Sequence, residues 1–558
     1  MNKTTKRILI GVGILFLLFK GLEWWVEFRF QKIVNRKPDR AYDIRYEGFD
    51  VHSFFKGVTL EEVGIVPVAI DSGDTVIRGT VDYARLNGLK WYELAFAKRL
   101  DIDGILFDRP LFKVTLSSNP KKKTSGKGLQ ELLGDIISRA NLNRFEIENG
   151  SVVLMSPGDE TIRGTLSNLN VVANEIETDS VIWQHLIPFQ LGSFQSSIDS
   201  LSFQLNDYTH LSTGSITFKK RENKLSLKDV NMHYTEDMSK VSQIIGKQTD
   251  LMQVSLGELT FEHLTASSNL YTDLDIETKK MIIRDLVFKD YRDKNMPRPP
   301  DAVKPMFKGM VDGIPITLSV DTIHLDNVEV QYSEVGVNKE IPGTLIFENI
   351  NGFVTRLTTI PQKQEAYKSF EADLTASLNG VAPLTFRLEV PYDREAFTAE
   401  AVIEAFDMTK LNETARHMAG VEIVSGDVKN IRFDMQASES TSHNKMQFYY
   451  QNLDINVLKE DKHHEVKSHA FFSSLANSAL RDSNTPSDKK YRKADYYSER
   501  NIYRGPFNFI WHSLADGMLH IVPGSFIQSI LGVNKETKKV EKEKRKARRH
   551  NKKASNEN

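Results

Sequence analysis

From Tyr42 onward, apolar and polar residues alternate along the chain with a period of two. Tyr42, Ile44 and Tyr46 enclose Asp43 and Arg45, and Leu201, Phe203 and Leu205 enclose Ser202 and Gln204. The same rhythm runs through Leu384, Phe386, Leu388 and Val390, then Ile431, Phe433 and Met435, then Met446, Phe448 and Tyr450. Each stretch predicts a strand with one dry and one wet face. One-sided strands belong to antiparallel sheets, because parallel sheets are covered on both faces and read as unbroken apolar runs. About 25 such strands at a spacing of ~4.8 Å would span about 120 Å, and a sheet of more than ~10 strands must curl, split or close. The predicted fold is therefore mainly β: a long, curved antiparallel sheet whose apolar side forms a hydrophobic groove, with short amphipathic helices.

Two stretches repeat the same order of features. In the first, Ile105-Leu106-Phe107 leads into the polar loop Asn119 to Lys123, then into a helical stripe of Leu129, Leu132, Leu133, Ile136 and Ile137. In the second, Leu286-Val287-Phe288 leads into Met296 to Pro300, then into Val303, Met306, Phe307, Met310 and Val311 at the same helical spacing. A strand pair follows each stripe: Phe145 to Leu154 with Asn149 in the first, Ile323 to Tyr332 with Asn327 in the second. Gly164-Thr165-Leu166 with Asn168 then matches Gly343-Thr344-Leu345 with Asn349. This predicts a duplicated module at about residues 100–175 and 282–355.

If the apolar face lines a groove, its wall includes Phe145, Ile147, Val152 and Leu154 in the first copy and Ile323, Leu325, Val328 and Val330 in the second. Further along, Phe386, Leu388, Phe433, Met435 and Phe448 continue it. Such a wall would solvate acyl chains while polar head groups remain in water.

The N-terminus has a different pattern. Lys3, Lys6 and Arg7 precede an unbroken apolar run from Ile8 to Phe19, extended by Leu22, Trp24, Trp25 and Val26. As one helix, residues 8–26 would rise about 28 Å, close to a hydrocarbon core. Lys20 can snorkel there, and Trp24 and Trp25 suit a membrane interface. No small-x-small site follows, so an uncleaved transmembrane signal anchor is expected rather than a cleaved signal peptide. Residues 1–7 would then lie in the cytoplasm and the body, 40–460, outside.

Composition and charge add three points. The 40% hydrophobic and 26% charged content is that of a folded chain. Cysteine is absent, which excludes disulfides, thiolate metal sites and cysteine nucleophiles. The net charge of −1 conceals a basic tail: Lys535 to Lys553 carries eleven Lys and Arg against three Glu. Residues 534–558 are therefore expected to be disordered, solvated or drawn to anionic lipid. Before the tail, residues 461–492 read as a polar linker, and 493–533 as an amphipathic segment in which Phe507, Ile510, Trp511, Leu514 and Met518 share one helix face. That helix either caps the groove or lies on a membrane.

An N-in anchor followed by repeated alternating strands resembles the AsmA-like family (AsmA/TamB-type bacterial envelope proteins). The residues that carry the resemblance are Tyr46-Glu47-Gly48-Phe49 through Val58 to Val63, the strand pairs at Phe145 to Leu154 and Ile323 to Tyr332, and Val421 to Val428. The resemblance covers about residues 1–460 and implies a single-pass inner-membrane protein with a periplasmic β-groove that guides phospholipid acyl chains during envelope biogenesis. It carries no catalytic residues.

Catalytic and cofactor motifs are missing too. His463-His464-Glu465 is the one short cluster of metal-binding residue types, and adjacent histidines in a charged stretch are ordinarily just exposed. No HExxH, GxSxG or phosphate loop occurs. Gly11-Val12-Gly13 sits inside the apolar run. The basic tail lacks interleaved aromatics, so nucleic acid is not an expected partner. The expectation is a protein with no enzymatic activity, cofactor or metal, whose partners are a phospholipid or other acyl-chain lipid, the inner membrane and envelope proteins. The alternative is a structural or assembly factor for outer-membrane or surface proteins, acting through an exposed β-edge.

Overall fold

The structure is a computed structural model that describes residues 3–35, 42–52, 57–68, 76–97, 101–115, 142–157, 161–174, 193–269, 273–460, 466–468 and 480–523. The fold is mainly β, with 25 strands among the described residues. The chain divides into two compact units: Met1–Asn231 with Thr260–Ile276, and Met232–Leu259 with Glu277–Asn558. The loop 119–123, the stripe at 129–137, His463 to Glu465, and the chain beyond 523 with its basic tail lie outside the described residues.

In the first unit, the strands Gly57–Pro67, Val76–Asn87 and Gly104–Thr115 pair antiparallel in sequence order. The next pairing departs from expectation: Gly104–Thr115 and Arg144–Met155 run parallel, Phe107 beside Ile147 and Phe112 beside Val152. A parallel pair needs a connection of a dozen or more residues, and residues 116–143 supply it. The sheet is mixed, not purely antiparallel. Arg144–Met155 then pairs antiparallel with Ile162–Asn174.

Cross-strand partners share a face, so Leu60, Ala84, Phe107, Ile147 and Val171 form one apolar row. The N-terminal helix Lys3–Val34 covers part of this core with Val26, Phe30 and Val34, spaced one helical turn apart. Phe30 packs its ring against Tyr46 and Phe49.

That helix extends beyond the expected 8–26 segment at both ends. It continues to Val34, and its final turns pack into the hydrophobic core: Trp25 packs on the sheet side with Arg29 over its ring, while Trp24 is exposed and stacks on Phe28. Lys20 pairs with Glu23 at 2.6 Å. Among the described residues, no helix is long and apolar enough to cross a membrane. Glu23, Glu27, Arg29 and Lys32 dilute the second half of this one.

In the second unit, the strands Thr317–Val335, Gly343–Thr358, Ser369–Leu378, Ala382–Pro391 and Phe397–Ile403 form an antiparallel meander. Val421–Ala437, Thr441–Glu460 and Ala494–Glu499 continue it. The strand Asp273–Asp293 precedes the meander in sequence. Its contacts Arg284 to Asp326, Asp285 to Asn327 and Lys294 to Glu334 advance in the same direction on both strands, the mark of a second parallel neighbour.

Three local expectations need correction. The stripe Val303 to Val311 is not one helix: the helix spans Phe307–Asp312, burying Met306, Phe307 and Val311, while Val303 and Met310 are exposed. The polar segment at 483–487, read as part of a linker, is tied into the sheet. Asn484 is fully buried, donating from Nδ2 to the carbonyls of Phe448 and Arg492 and accepting from the Arg492 N–H. The strand pairs read at Phe145 to Leu154 and at Ile323 to Tyr332 are each a single strand interrupted by a bulge.

Candidate functional site

The bulges decide which residues face the core. In Arg144–Met155 the residues before the bulge that point inward are Phe145 and Ile147, and those after it are Gly150 and Val152, a change from odd to even positions. The extra residue, Asn149, has φ +55°. In Thr317–Val335 the same change runs from Ile323 and Leu325 to Val328 and Val330, with Asn327 at φ +56°. Asparagine is among the few non-glycine residues that tolerate this left-handed conformation. Without the extra residue, every later side chain would turn to the opposite face.

The supporting bonds are the same in both copies. Asn149 N–H donates to Asn170 Oδ1 at 3.0 Å, and Asn327 N–H to Asn351 Oδ1 at 3.0 Å. Asn170 Nδ2 donates to the Asn168 carbonyl at 3.0 Å, and Asn351 Nδ2 to that of Asn349 at 2.8 Å. The repeat legible in the sequence is thus also a repeat of hydrogen bonds.

What covers the apolar face differs. In the first unit Phe145 and Ile147 are each 1% exposed, Val152 is buried, and Leu154 packs against the same core. In the second unit one cross-strand row runs through Leu325, Gly352, Leu374, Phe386, Ala401, Phe433, Met446 and Ala494. At its far end Phe433 and Met446 are 1% exposed, and Leu388, Met435 and Phe448 lie in the same closed core. Toward its start Phe386, Leu374 and Leu325 are only half-buried. Ile323 and Val328 are buried, but Val330, Phe347, Val354 and Leu357 remain half-open.

The closed end has a lid. The helix Pro506–Ile521 lies on Thr441–Glu460 and Ala494–Glu499, burying Phe509, Ser513, Gly517 and Ile521. A side chain at Gly517 would come within 2.4 Å of Met446 Sδ and 2.5 Å of Tyr496 Oη, so glycine permits the close approach. Ser442 and Ser513 share a hydroxyl hydrogen bond, Ser498 Oγ donates to Asp516 Oδ2, and Tyr496 Oη donates to the Ser513 carbonyl. The sequence pattern chose Phe507, Ile510, Trp511, Leu514 and Met518 as the packing face. Of these, Ile510, Leu514 and Met518 pack partly buried against the core and Phe507 and Trp511 are exposed, while the deepest positions are Phe509, Ser513, Gly517 and Ile521, where glycine admits the close approach.

Beside the half-open region lies a polar cluster that sequence reading missed. Asp290 and Arg292 sit near Tyr332, whose hydroxyl donates to Glu334 at 2.6 Å, and Arg292 pairs with Asp250 at 2.5 Å. Burial, with Asp250 nearby, pushes the Asp290 carboxyl up to about 6 despite the opposing Arg292. Asp290 Oδ1 and Arg292 Nε have no hydrogen-bond partner among the described residues. A signal was available in Asp290 and Arg292, which interrupt the alternation begun by Leu286 and Phe288. Among the described residues, no cluster of three or more His, Asp or Glu has the arrangement of a metal site.

No family model matches the chain, and no curated protein matches it.

Proposed function

We propose that the protein is an AsmA-like envelope protein, held in the inner membrane by its N-terminal helix with its body in the periplasm, whose apolar sheet face binds or guides phospholipid acyl chains. The observation that carries this reading is the half-open stretch of the second unit, where Leu325, Val330, Phe347, Leu374 and Phe386 form contiguous apolar surface that is neither sealed in a core nor polar. The opposite face carries charge pairs such as Arg387 with Asp373, so the sheet offers grease on one side and water on the other. The anchor is supported by Lys3, Lys6 and Arg7 and by the exposure of Ile10, Val12, Ile14, Phe16 and Leu17, apolar side chains that the first unit leaves uncovered. The role is binding and guidance rather than catalysis.

The test is mass spectrometry of lipids extracted from the purified full chain. Phospholipid is expected with the native protein, and loss of lipid with Leu325→Asp or Phe386→Asp at unchanged circular dichroism. Glu146→Asp and Arg387→Asp, on the polar face, should retain lipid. Absence of lipid from the native chain, together with crosslinking to a protein at a sheet edge, would reject this reading in favour of an assembly factor that acts by strand addition.

A further inference from the structure

The helix Pro506–Ile521 turns one side of its apolar surface to the core, where Ile510, Leu514 and Met518 also pack partly buried, and leaves another apolar ridge outward. Phe509, Ser513, Gly517 and Ile521, spaced four apart, face the strands. Phe507, Trp511, Ala515 and Leu519, also spaced four apart, begin two residues earlier and so lie about 200° around the helix from them. On this second ridge Phe507 is 65% exposed and Trp511 and Leu519 are each 44% exposed. A surface helix ordinarily turns polar residues outward. The apolar surface extends beyond the helix: Phe307 sets its ring edge-on to Phe507 at 5.0 Å with Met310 exposed nearby, and the Lys304 N–H donates to the Ile502 carbonyl, bringing up exposed Ile502 and Tyr503.

We propose that this outward ridge docks the second unit on an anionic phospholipid bilayer. Two independent features select that occupant. Trp, Tyr and Phe at the edge of an apolar ridge suit the interfacial zone of a bilayer. The chain that follows the helix then carries eleven Lys and Arg between Lys535 and Lys553, a charge excess that complements anionic head groups and not a neutral apolar protein surface. The lid of the closed core is thus also a membrane-facing element. This assignment does not depend on whether acyl chains occupy the sheet face.

The absence of cysteine makes the test direct. Trp511→Cys and Leu519→Cys, each labelled with an environment-sensitive fluorophore, report on the ridge, and Thr398→Cys on an exposed strand position is the control. The full chain is held in phosphatidylcholine nanodiscs, so that its N-terminal apolar segment is already satisfied. Vesicles of phosphatidylglycerol with phosphatidylcholine, or of phosphatidylcholine alone, are then added. A blue shift at positions 511 and 519 but not 398 is expected, with binding at least about tenfold tighter to the anionic vesicles and that preference lost on raising salt or deleting residues 535–558. No shift at 511 and 519 with anionic vesicles would overturn the proposal. So would an equal shift on concentrating the protein without vesicles, which would assign the ridge to a second copy of the chain. Lipid extracted from the sheet face is a separate measurement, so failure of one reading leaves the other readable.

Discussion

The strands Arg144–Met155 and Thr317–Val335 share a bulge at a left-handed asparagine, an asparagine brace from the next strand, and a switch of facing parity. Yet the first presents its apolar side chains to a sealed core and the second leaves some of them half-open. The difference lies in what packs on top. Val26, Phe30 and Val34 of the N-terminal helix, with Leu89, Leu94 and Ile102, close the first face. In the second unit Met306, Phe307 and the helix Pro506–Ile521 close the far strands and stop short of the half-open ones. A duplicated backbone device therefore fixes where side chains point, while the covering elements decide whether that direction means core or surface.

The largest expected effect tests this contrast. Phe145, fully buried with its ring edge-on to Phe107 at 5.5 Å, should cost about 3–5 kcal/mol when replaced by Ala. Leu325→Ala, at the half-open position that matches Ile147 in the second strand, should cost about 1 kcal/mol. Urea denaturation of both variants measures the difference, and equal losses would mean that the second face is covered in solution.

The lid should respond almost as strongly. Gly517→Leu drives a side chain into Met446 and Tyr496, and overpacking of this kind costs about 1–3 kcal/mol. Loss of stability should come with altered Trp511 emission, because the helix has to lift. Gly517→Ala, with its smaller intrusion, should fall between the two proteins, and a Gly517→Leu chain as stable as the native one would show that the helix is not seated on the sheet.

These sites also mark the limit of what was legible. The alternation exposed the strands, because burial on one face leaves a periodic mark, and the matched Asn149 and Asn327 fall at like bulges. The bulges were not read as such: Asn149 and Asn327 look like strand ends until the change from odd to even is followed across them. Nor did the pattern find the buried ridge of the helix Pro506–Ile521, since hydrophobicity ranks Trp511 above Gly517 whereas close packing ranks them in reverse. The parallel neighbours were hidden because strand direction leaves no mark in a half-buried strand. Asp290 was passed over because a single carboxylate in an apolar alternation looks like a strand end.

A third prediction asks whether the shared device is worth the same in both places. Asn170→Ala and Asn351→Ala each remove an acceptor for a bulge N–H and a donor to a neighbouring carbonyl, near solvent. Each should cost about 1 kcal/mol, alike to within a few tenths by urea titration. Unequal losses would show that the covering elements alter the bulge as well as its surroundings.

The most condition-dependent effect belongs to Asp290, which has no counterpart in the first unit's row. Its carboxyl titrates near 6 in the folded protein because burial and Asp250 disfavour the charge more than Arg292 favours it, with Tyr332 and Glu334 also close by. An unfolded aspartate titrates near ~3.9, so between those values the folded state holds the extra proton. The stability this contributes is complete below the unfolded value and is lost as pH rises through about 6. Allowing for the solvent that reaches this half-buried group, the loss should be about 1 kcal/mol. Asp290→Asn should flatten that part of the urea-midpoint profile between acid and neutral pH and be the more stable protein at pH 8. Both effects should be confined to the second unit, because the group that feels the pH sits beside its half-open face. An unchanged pH profile in Asp290→Asn would mean that water reaches the carboxylate freely, and that the second unit is more open there than Leu325 and Val330 indicate.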